Sequence, residues 1–389
     1  MSAEPFPVRG FTEDEFRSRT ARIRAAMADA GLDAMLLTTE PEIRYVTGFL
    51  TRFWESPTRP WFVIVPLGAD PVAVIPEIGA PLMARGWLRD IRTWTSPDYE
   101  DDGIGLLART LRETVGETGQ IGVPDGGETH LRMPLASWTW LQGRIGARRI
   151  IGDGGLMRRL RMVKSPAEIA RIETACAIAG RAFARLPGIA AEGMPLEQVF
   201  RRFQALCLEE GADWVSYVAG GAGPGGYADV ISPADARPLE RGDVMMLDTG
   251  VVHDGYFCDF DRNFSIGPAA PALRDAHARL IEAAMAGFDA ARPGRRARDL
   301  FRAMDGVLTG GAAPPGRLGH GLGMQLTEGP SLMPADTTIL LPGMVLTLEP
   351  GLALGDGRIM VHEENIVIEE TGARWLSPPA AAALPEIGG

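Results

Sequence analysis

Lysine is nearly absent from this sequence. Lys164 is the only one, and every other member of the 39 Lys and Arg residues is arginine. A lysine Schiff base is therefore excluded everywhere except at Lys164. Cysteine is scarce as well: Cys176, Cys207 and Cys258 are odd in number and widely spaced, with neither a paired framework nor CxxC metal spacing. A reducing, cytoplasmic location is expected. No apolar run approaches the length of a membrane span, and the first residues, MSAEPFPVRGFTEDEF, break up their apolar positions with proline and acids, so neither export nor membrane insertion is expected. Cationic surplus is missing too. A net charge of -11 argues against nucleic acid as a partner. Histidine is confined to positions 130, 253, 277, 320 and 362, which limits where imidazole chemistry can occur.

What is present is ample core material. Hydrophobic residues make up 46% and charged residues 23% of 389, a length that suggests two domains. The first part alternates helical and strand patterns. Residues 13 to 30 place Phe16, Ile23, Met27 and Ala30 at helical spacing before Gly31. DAMLLT reads as a strand, and WFVIVP and PVAVIP as a hairpin about LGAD. This predicts an α/β domain over 1–158. A second domain over 159–389 opens on a helix with Ser165 as N-cap, Pro166 in its first turn and Glu168 completing a capping box. Helices near 195–211, 271–292 and 297–308, set among the strands WVSYVAGG, VMMLDTG, YFCDFDRNFSIG, MVLTLEPG and RIMVHEENIVIEE, predict an α+β domain with helices backing a curved antiparallel sheet.

Five dispersed positions carry the chemistry. Asp248 lies in LDTG, Asp259 in FCDFDRN, His320 in GHGLG, Glu349 in LEPG and Glu363 in HEEN. Four read as strand ends and one as a glycine-rich turn, so four carboxylates and an imidazole can converge as ligands for Mn, Fe, Co or Zn. Asp248 taken alone would be an ordinary turn carboxylate, but the apolar VMML before it makes it a buried strand residue, where an unpaired charge is costly. Asp259 and Asp261, two apart, are expected to face one side of a strand. Arg262 points the other way, as a structural ion pair. Glu363 and Glu364, being adjacent, should face opposite sides of their strand.

The order Asp, Asp-x-x-Arg, GHGxG, EPG, Glu-x-Asn resembles the creatinase, prolidase and methionine aminopeptidase family, most strongly beyond residue 160. That resemblance implies a pita-bread catalytic domain, with Asp248, Asp259, His320, Glu349 and Glu363 as metal ligands and Glu363 selected over Glu364. It also implies a creatinase-like homodimer, in which the loop carrying Arg52, Phe53 and Trp54 reaches the neighbouring subunit's site and an arginine holds a substrate carboxylate.

The departures from the peptidase pattern matter as much. Thr327 in QLTE stands where the family's peptidases usually carry a second histidine, and GGYADVISPADARPLERGD has no histidine before Asp248. Asp261 takes the place of a usual threonine, an added acid that suits a cationic substrate. The segments TRFWESP, YFCDFDRN, GHGLGMQLTE and IMVHEENIVI resemble the ectoine hydrolase branch, which opens a cyclic amidine. The resemblance thus implies a small zwitterionic substrate bound by Arg52, Phe53, Trp54 and Thr327, with His320, Asp261, Glu349 and Glu363 catalytic. Either water activated at a divalent metal or a metal-free, creatinase-like route through His320 would open the ring. An Xaa-Pro dipeptidase or aminopeptidase is the alternative, and a catalytically silent domain used for protein binding is third.

Overall fold

The structure is a computed structural model that describes residues 9–56, 59–310 and 316–388. The chain divides into two compact units, Met1–Arg161 and Met162–Gly389. The division falls inside the helix Leu156–Met162.

The first unit is built on a six-stranded mixed sheet. Its strand order is Asp90–Trp94, Val72–Pro76, Phe62–Pro66, Ala34–Leu37, Gln120–Val123 and Arg149–Gly152. The expected hairpin is present, Phe62 facing Val74 and Ile64 facing Val72. Leu36, Phe62, Ile64, Val74, Leu107, Leu111 and Ile121 form its core. The helix Glu13–Ala30 starts at Thr12, whose hydroxyl accepts from Glu15 N, and stops at Gly31, whose φ of 68° a β-carbon would oppose. Phe16, Ile23 and Met27 are buried as the spacing predicts, whereas Ala30 is exposed at the helix end.

The second unit opens on the helix Pro166–Arg185. Its capping box is complete: Ser165 accepts from Glu168 N at 3.3 Å and Glu168 accepts from Ser165 N at 3.0 Å. Two sheets follow. One orders Glu386–Ile387, Phe260–Ile266, Asp243–His253 and Trp214–Pro224, with Tyr256–Phe257 paired to Asp243–His253. The other orders Glu328–Ser331, His320–Gly321, Val345–Leu348, Glu364–Ile368 and Ala373–Trp375. All their pairings are antiparallel except that of Phe260–Ile266 with Glu386–Ile387. A separate hairpin joins Gly351–Gly355 to Arg358–Val361. Met246 of the first sheet, Leu346, Leu348 and Ile366 of the second, and Leu280, Leu300 and Met304 of the helices Pro271–Ala290 and Ala297–Leu308 share one core. Burial of that many aliphatic side chains, at about 1.5–3 kcal/mol each, holds the sheets and helices together.

Strand boundaries depart from the sequence reading in a way that matters for the site. Asp248 is not at a strand end; it lies mid-strand in Asp243–His253, which continues because Val251 and Val252 are also buried. Three stretches read as continuous strands are interrupted. The breaks fall at Cys258–Asp259, Glu349–Pro350 and His362–Glu363. A carboxylate at a break leaves the pleat, so its direction is no longer fixed by alternation.

Among the described residues, no helix is long and apolar enough to cross a membrane. One buried histidine sets an acid limit. His277, only 2% exposed, has its pKa lowered to about 4 by desolvation, offset in part by its contact at 3.2 Å with the Ala382 carbonyl. Below its unfolded pKa near 6.5 the unfolded chain binds the proton more readily, so stability falls with pH and continues to fall until about pH 4. The expected loss is about 2 kcal/mol by pH 5 relative to a His277→Gln variant, from the linkage arithmetic of 1.36 kcal/mol per unit. Urea unfolding of both proteins at pH 7 and pH 5 measures it. Parallel pH profiles would show that His277 contributes nothing.

Candidate metal centre

Each ligand candidate is placed by an identifiable local cause. His320 stands between Gly319, with φ 137°, and Gly321 because the backbone there is crowded: a β-carbon at Gly319 would lie 2.3 Å from the Thr347 carbonyl oxygen, and one at Gly321 2.0 Å from that of Gly329. The His320 ring is oriented by its Nδ1, 2.8 Å from the Gly321 carbonyl. A donor Nδ1–H leaves Nε2 as the ligand atom, and Nε2 lies 2.9 Å from Glu349 Oε1 and 3.2 Å from Asp259 Oδ2. The Thr347 hydroxyl accepts from His320 N at 2.8 Å and also bonds Glu349. Asp259, at its strand break, is held through its backbone: its N–H donates to Asn365 Oδ1 at 3.0 Å, and Asn365 Nδ2 donates back to its carbonyl. Glu363 N–H donates to Asp261 Oδ1 at 3.0 Å.

These placements bring all five candidates together as two overlapping triads. Asp259, His320 and Glu349 form one, and Asp248, Asp259 and Glu363 the other, with ligand atoms in each within 4.8 Å of one another. Asp259 belongs to both. Oxygen-rich triads sharing a bridging carboxylate fit a pair of divalent ions such as Mn, Fe, Co or Zn.

The electrostatics are those of a site short of positive charge. Desolvation first, and the charges of Asp259 and Asp261 second, push the Asp248 carboxyl well above its ordinary range. Desolvation and then Asp248 and Glu349 do the same to Glu363. Asp259 is raised chiefly by desolvation, against the pull of His320. Desolvation lowers His320, but Glu349 and Asp259 outweigh it and raise the ring to about 10. Without cations this cluster must hold protons; divalent ions would replace them.

Sequence reading did not single out Tyr217. Its hydroxyl donates to Asp248 Oδ1 at 3.0 Å and lies in contact with Asp259 as well. Desolvation and the two aspartates push its own pKa well above 10, so it remains a proton donor. The signal was available only faintly, as an aromatic in the strand Trp214–Pro224, because a register shift between Val215 and Val218 obscures which face Tyr217 takes.

The other predicted residues belong to neither triad. Asp261 is fully buried, with Oδ1 on Glu363 N and 3.4 Å from His362 Nδ1 and Oδ2 without a hydrogen-bond partner. Its carboxylate is in neither triad; its visible work is to hold the Glu363 backbone. Arg262 does pair structurally, donating to Glu364 Oε2 at 3.0 Å and to the Glu363 carbonyl at 3.2 Å, so Glu364 is paired and not solvated. Thr327 lies outside both triads, 3.4 Å from Arg317. Arg52, Phe53 and Trp54 belong to the first unit, in the 3-10 turn Phe53–Glu55 and its cap. Arg52 pairs with Glu55 and Phe53 is 52% exposed. Trp54 instead packs on Phe49 and Trp61, with Arg132 5.1 Å from its ring.

An α/β unit joined to two sheets and helices that carry a cluster of carboxylates about one imidazole is the architecture of a hydrolase. Residues 170–370 match metallopeptidase family M24, and residues 19–163 the creatinase/prolidase N-terminal domain. The chain belongs to the M24 family, with the pita-bread fold of its prolidases. It is 29% identical over 371 residues to the probable dipeptidase PepE of Mycobacterium tuberculosis, covering 94% of this chain and 95% of that one. It is 24% identical over 400 residues to the ectoine hydrolase of Halomonas elongata, covering 94% and 96%. The crystal structure of dipeptidase PepE from Mycobacterium ulcerans superposes with a TM-score of 0.83 at 28% identity, covering 97% of this chain and 99% of that one.

Proposed function

We propose that this chain is a two-metal hydrolase of dipeptide-sized substrates, a dipeptidase that cleaves one amide C–N bond. The observation that carries the reading is the pair of triads sharing Asp259. Bound ions supply Lewis-acid polarisation of the scissile carbonyl and a nucleophilic water at neutral pH. The protein's own groups do the rest. Asp248, Asp259, His320, Glu349 and Glu363 hold the ions, and Tyr217 fixes the two aspartates. Glu349 takes the proton of the attacking water. At 17% exposure it is the most open member of its triad, the one that solvent reaches most readily. The likeness to dipeptidase PepE, higher than that to ectoine hydrolase, supports the peptide over the cyclic amidine.

A second reading, hydrolysis of ectoine or a related cyclic amidine, draws on one observation. His320 is the only imidazole in either triad, and Thr327 stands where the family's peptidases usually carry a second. Protein loaded separately with Mn, Co or Zn and incubated with Gly-Pro, Leu-Gly and ectoine decides between them. Release of free amino acids that ceases with a chelator is the expected result. Ring-opened acetyl-diaminobutyrate without amino-acid release would replace the first reading by the second, and no product from any substrate would sink both.

The same proposal includes a homodimer in the cytoplasm. The exposure of Arg52, 54% at its side chain, and of Phe53 supports their use in contacts with a neighbouring copy. A fully active monomer would remove that part.

A further inference from the structure

A cavity of about 250 Å³ lies at the end of the strand Trp214–Pro224, enclosed by the loop that follows it and by Arg358. The volume suits one molecule of amino-acid size, near the lower end for ligand pockets. Its walls mix backbone and small side chains, among them Gly221, Ala222, Pro224 and Ala234, with the aliphatic Leu196 on one side.

Four charged side chains line this space, and three are already satisfied. Asp229 accepts from Ile231 N at 3.0 Å, from Ser232 N at 2.8 Å and from the Ser232 hydroxyl at 3.0 Å. Asp235 accepts from Arg237 N at 3.0 Å. Arg237 grips Asp243 with both arms, at 2.7 and 3.0 Å. The Arg358 side chain makes no hydrogen bond or ion pair with any described residue. Asp229 and Asp235 keep their charge but face their own loop, so Arg358 is the one lining cation whose planar fork has no carboxylate on it.

Two features keep that fork in place. Gly223 has no side chain where one would collide: a β-carbon there would lie 3.1 Å from Arg358 Nη1 and 2.8 Å from the Gly226 carbonyl. Tyr227 ties the loop to the arginine's own strand, exchanging backbone bonds with Ile359 at 2.8 and 3.3 Å and accepting at its hydroxyl from Val361 N at 2.6 Å. The guanidinium therefore sits on an anchored strand.

We propose that this cavity binds a small carboxylate, with Arg358 as the group that recognises it. Planar bidentate pairing is the geometry that arginine offers a carboxylate, and the enclosing glycine, alanine and proline residues accept a short apolar body behind it. The carboxylate is either the end of the substrate itself or a free amino-acid-like anion. Both sources use the same contact.

Calorimetric titration of the full-length, metal-loaded protein with N-acetylglycine, and with its amide as the neutral control, tests the site. The acid should bind and the amide should not. Arg358→Gln should weaken acid binding at least tenfold, and Arg358→Lys should fall between. This binding arm does not depend on the proposed reaction. The kinetic arm rests on the dipeptidase reading: a tenfold rise in KM at unchanged kcat for Arg358→Gln identifies the substrate's own carboxylate, whereas lost binding at unchanged KM identifies a free one. No binding by the wild type, or equal binding by Arg358→Gln at unaltered thermal stability, overturns the proposal.

Discussion

Asp259→Asn is expected to empty both metal positions at once and to lower kcat/KM by at least about 10³-fold. Asp259 is the residue common to the two triads, so its loss weakens each, while replacing Asp248 or His320 weakens only one. The magnitude follows from the several kcal/mol of charge stabilisation that ions supply, each 1.36 kcal/mol being a factor of ten. The variant should still fold. Asn365 grips the backbone N–H and carbonyl of residue 259, contacts that do not depend on its side chain. Metal content per chain, measured beside kcat/KM, checks the prediction, with Tyr217→Phe as the comparison. The Tyr217 phenol touches two ligands but belongs to neither triad, so its loss should lower metal affinity by about 10–100-fold, the usual cost of an outer-shell partner, without abolishing binding. Asp259→Asn with wild-type metal content and activity would remove the bridging role.

The difference between Asp259 and Tyr217 is also the difference between what was legible in the sequence and what was not. Asp248, Asp259, His320, Glu349 and Glu363 announce themselves because each sits in a short motif whose local cause is local: an apolar run before a carboxylate, or glycines flanking an imidazole. Helix caps at Ser165 and the hairpin about LGAD are legible for the same reason. What was not legible depends on pairing across the fold. Asp259 and Asp261 are two residues apart, yet the break at Cys258–Asp259 separates their roles, one joining both triads and the other turning to Glu363 N and His362. Alternation along a continuous strand would have given them one role. Trp54 was read as a presented loop residue, but Phe49 and Trp61 offer an aromatic surface that takes it inward. Arg358 carries no sequence signal at all; its isolation is visible only once the carboxylates around it are seen to be engaged.

Lys164 is the strongest case of a long-range pairing that sequence alone does not disclose, and it carries the last large prediction. The chain's only lysine is 5% exposed and lies 3.1 Å from Glu328, 164 residues away, with the Met162 carbonyl at 3.4 Å. Glu328 in turn accepts from Gln325 N at 3.1 Å, and Gln325 O accepts from Gly323 N at 3.1 Å, so the pair underlies the GHGLG turn that carries His320. Breaking a buried pair leaves one charge without a partner, a loss of about 3–5 kcal/mol, whereas removing both charges together is far less costly. Lys164→Met and Glu328→Gln are each expected to lower stability by that amount, and Lys164→Met/Glu328→Gln by much less than their sum. Urea unfolding of the four proteins, followed through the transition of the second unit, measures the coupling. Because the turn sets His320 against Glu349 and Asp259, the single variants should also bind metal more weakly than the double variant. Strictly additive losses, or metal affinity indifferent to all three changes, would show that the pair neither stabilises this turn nor positions the imidazole.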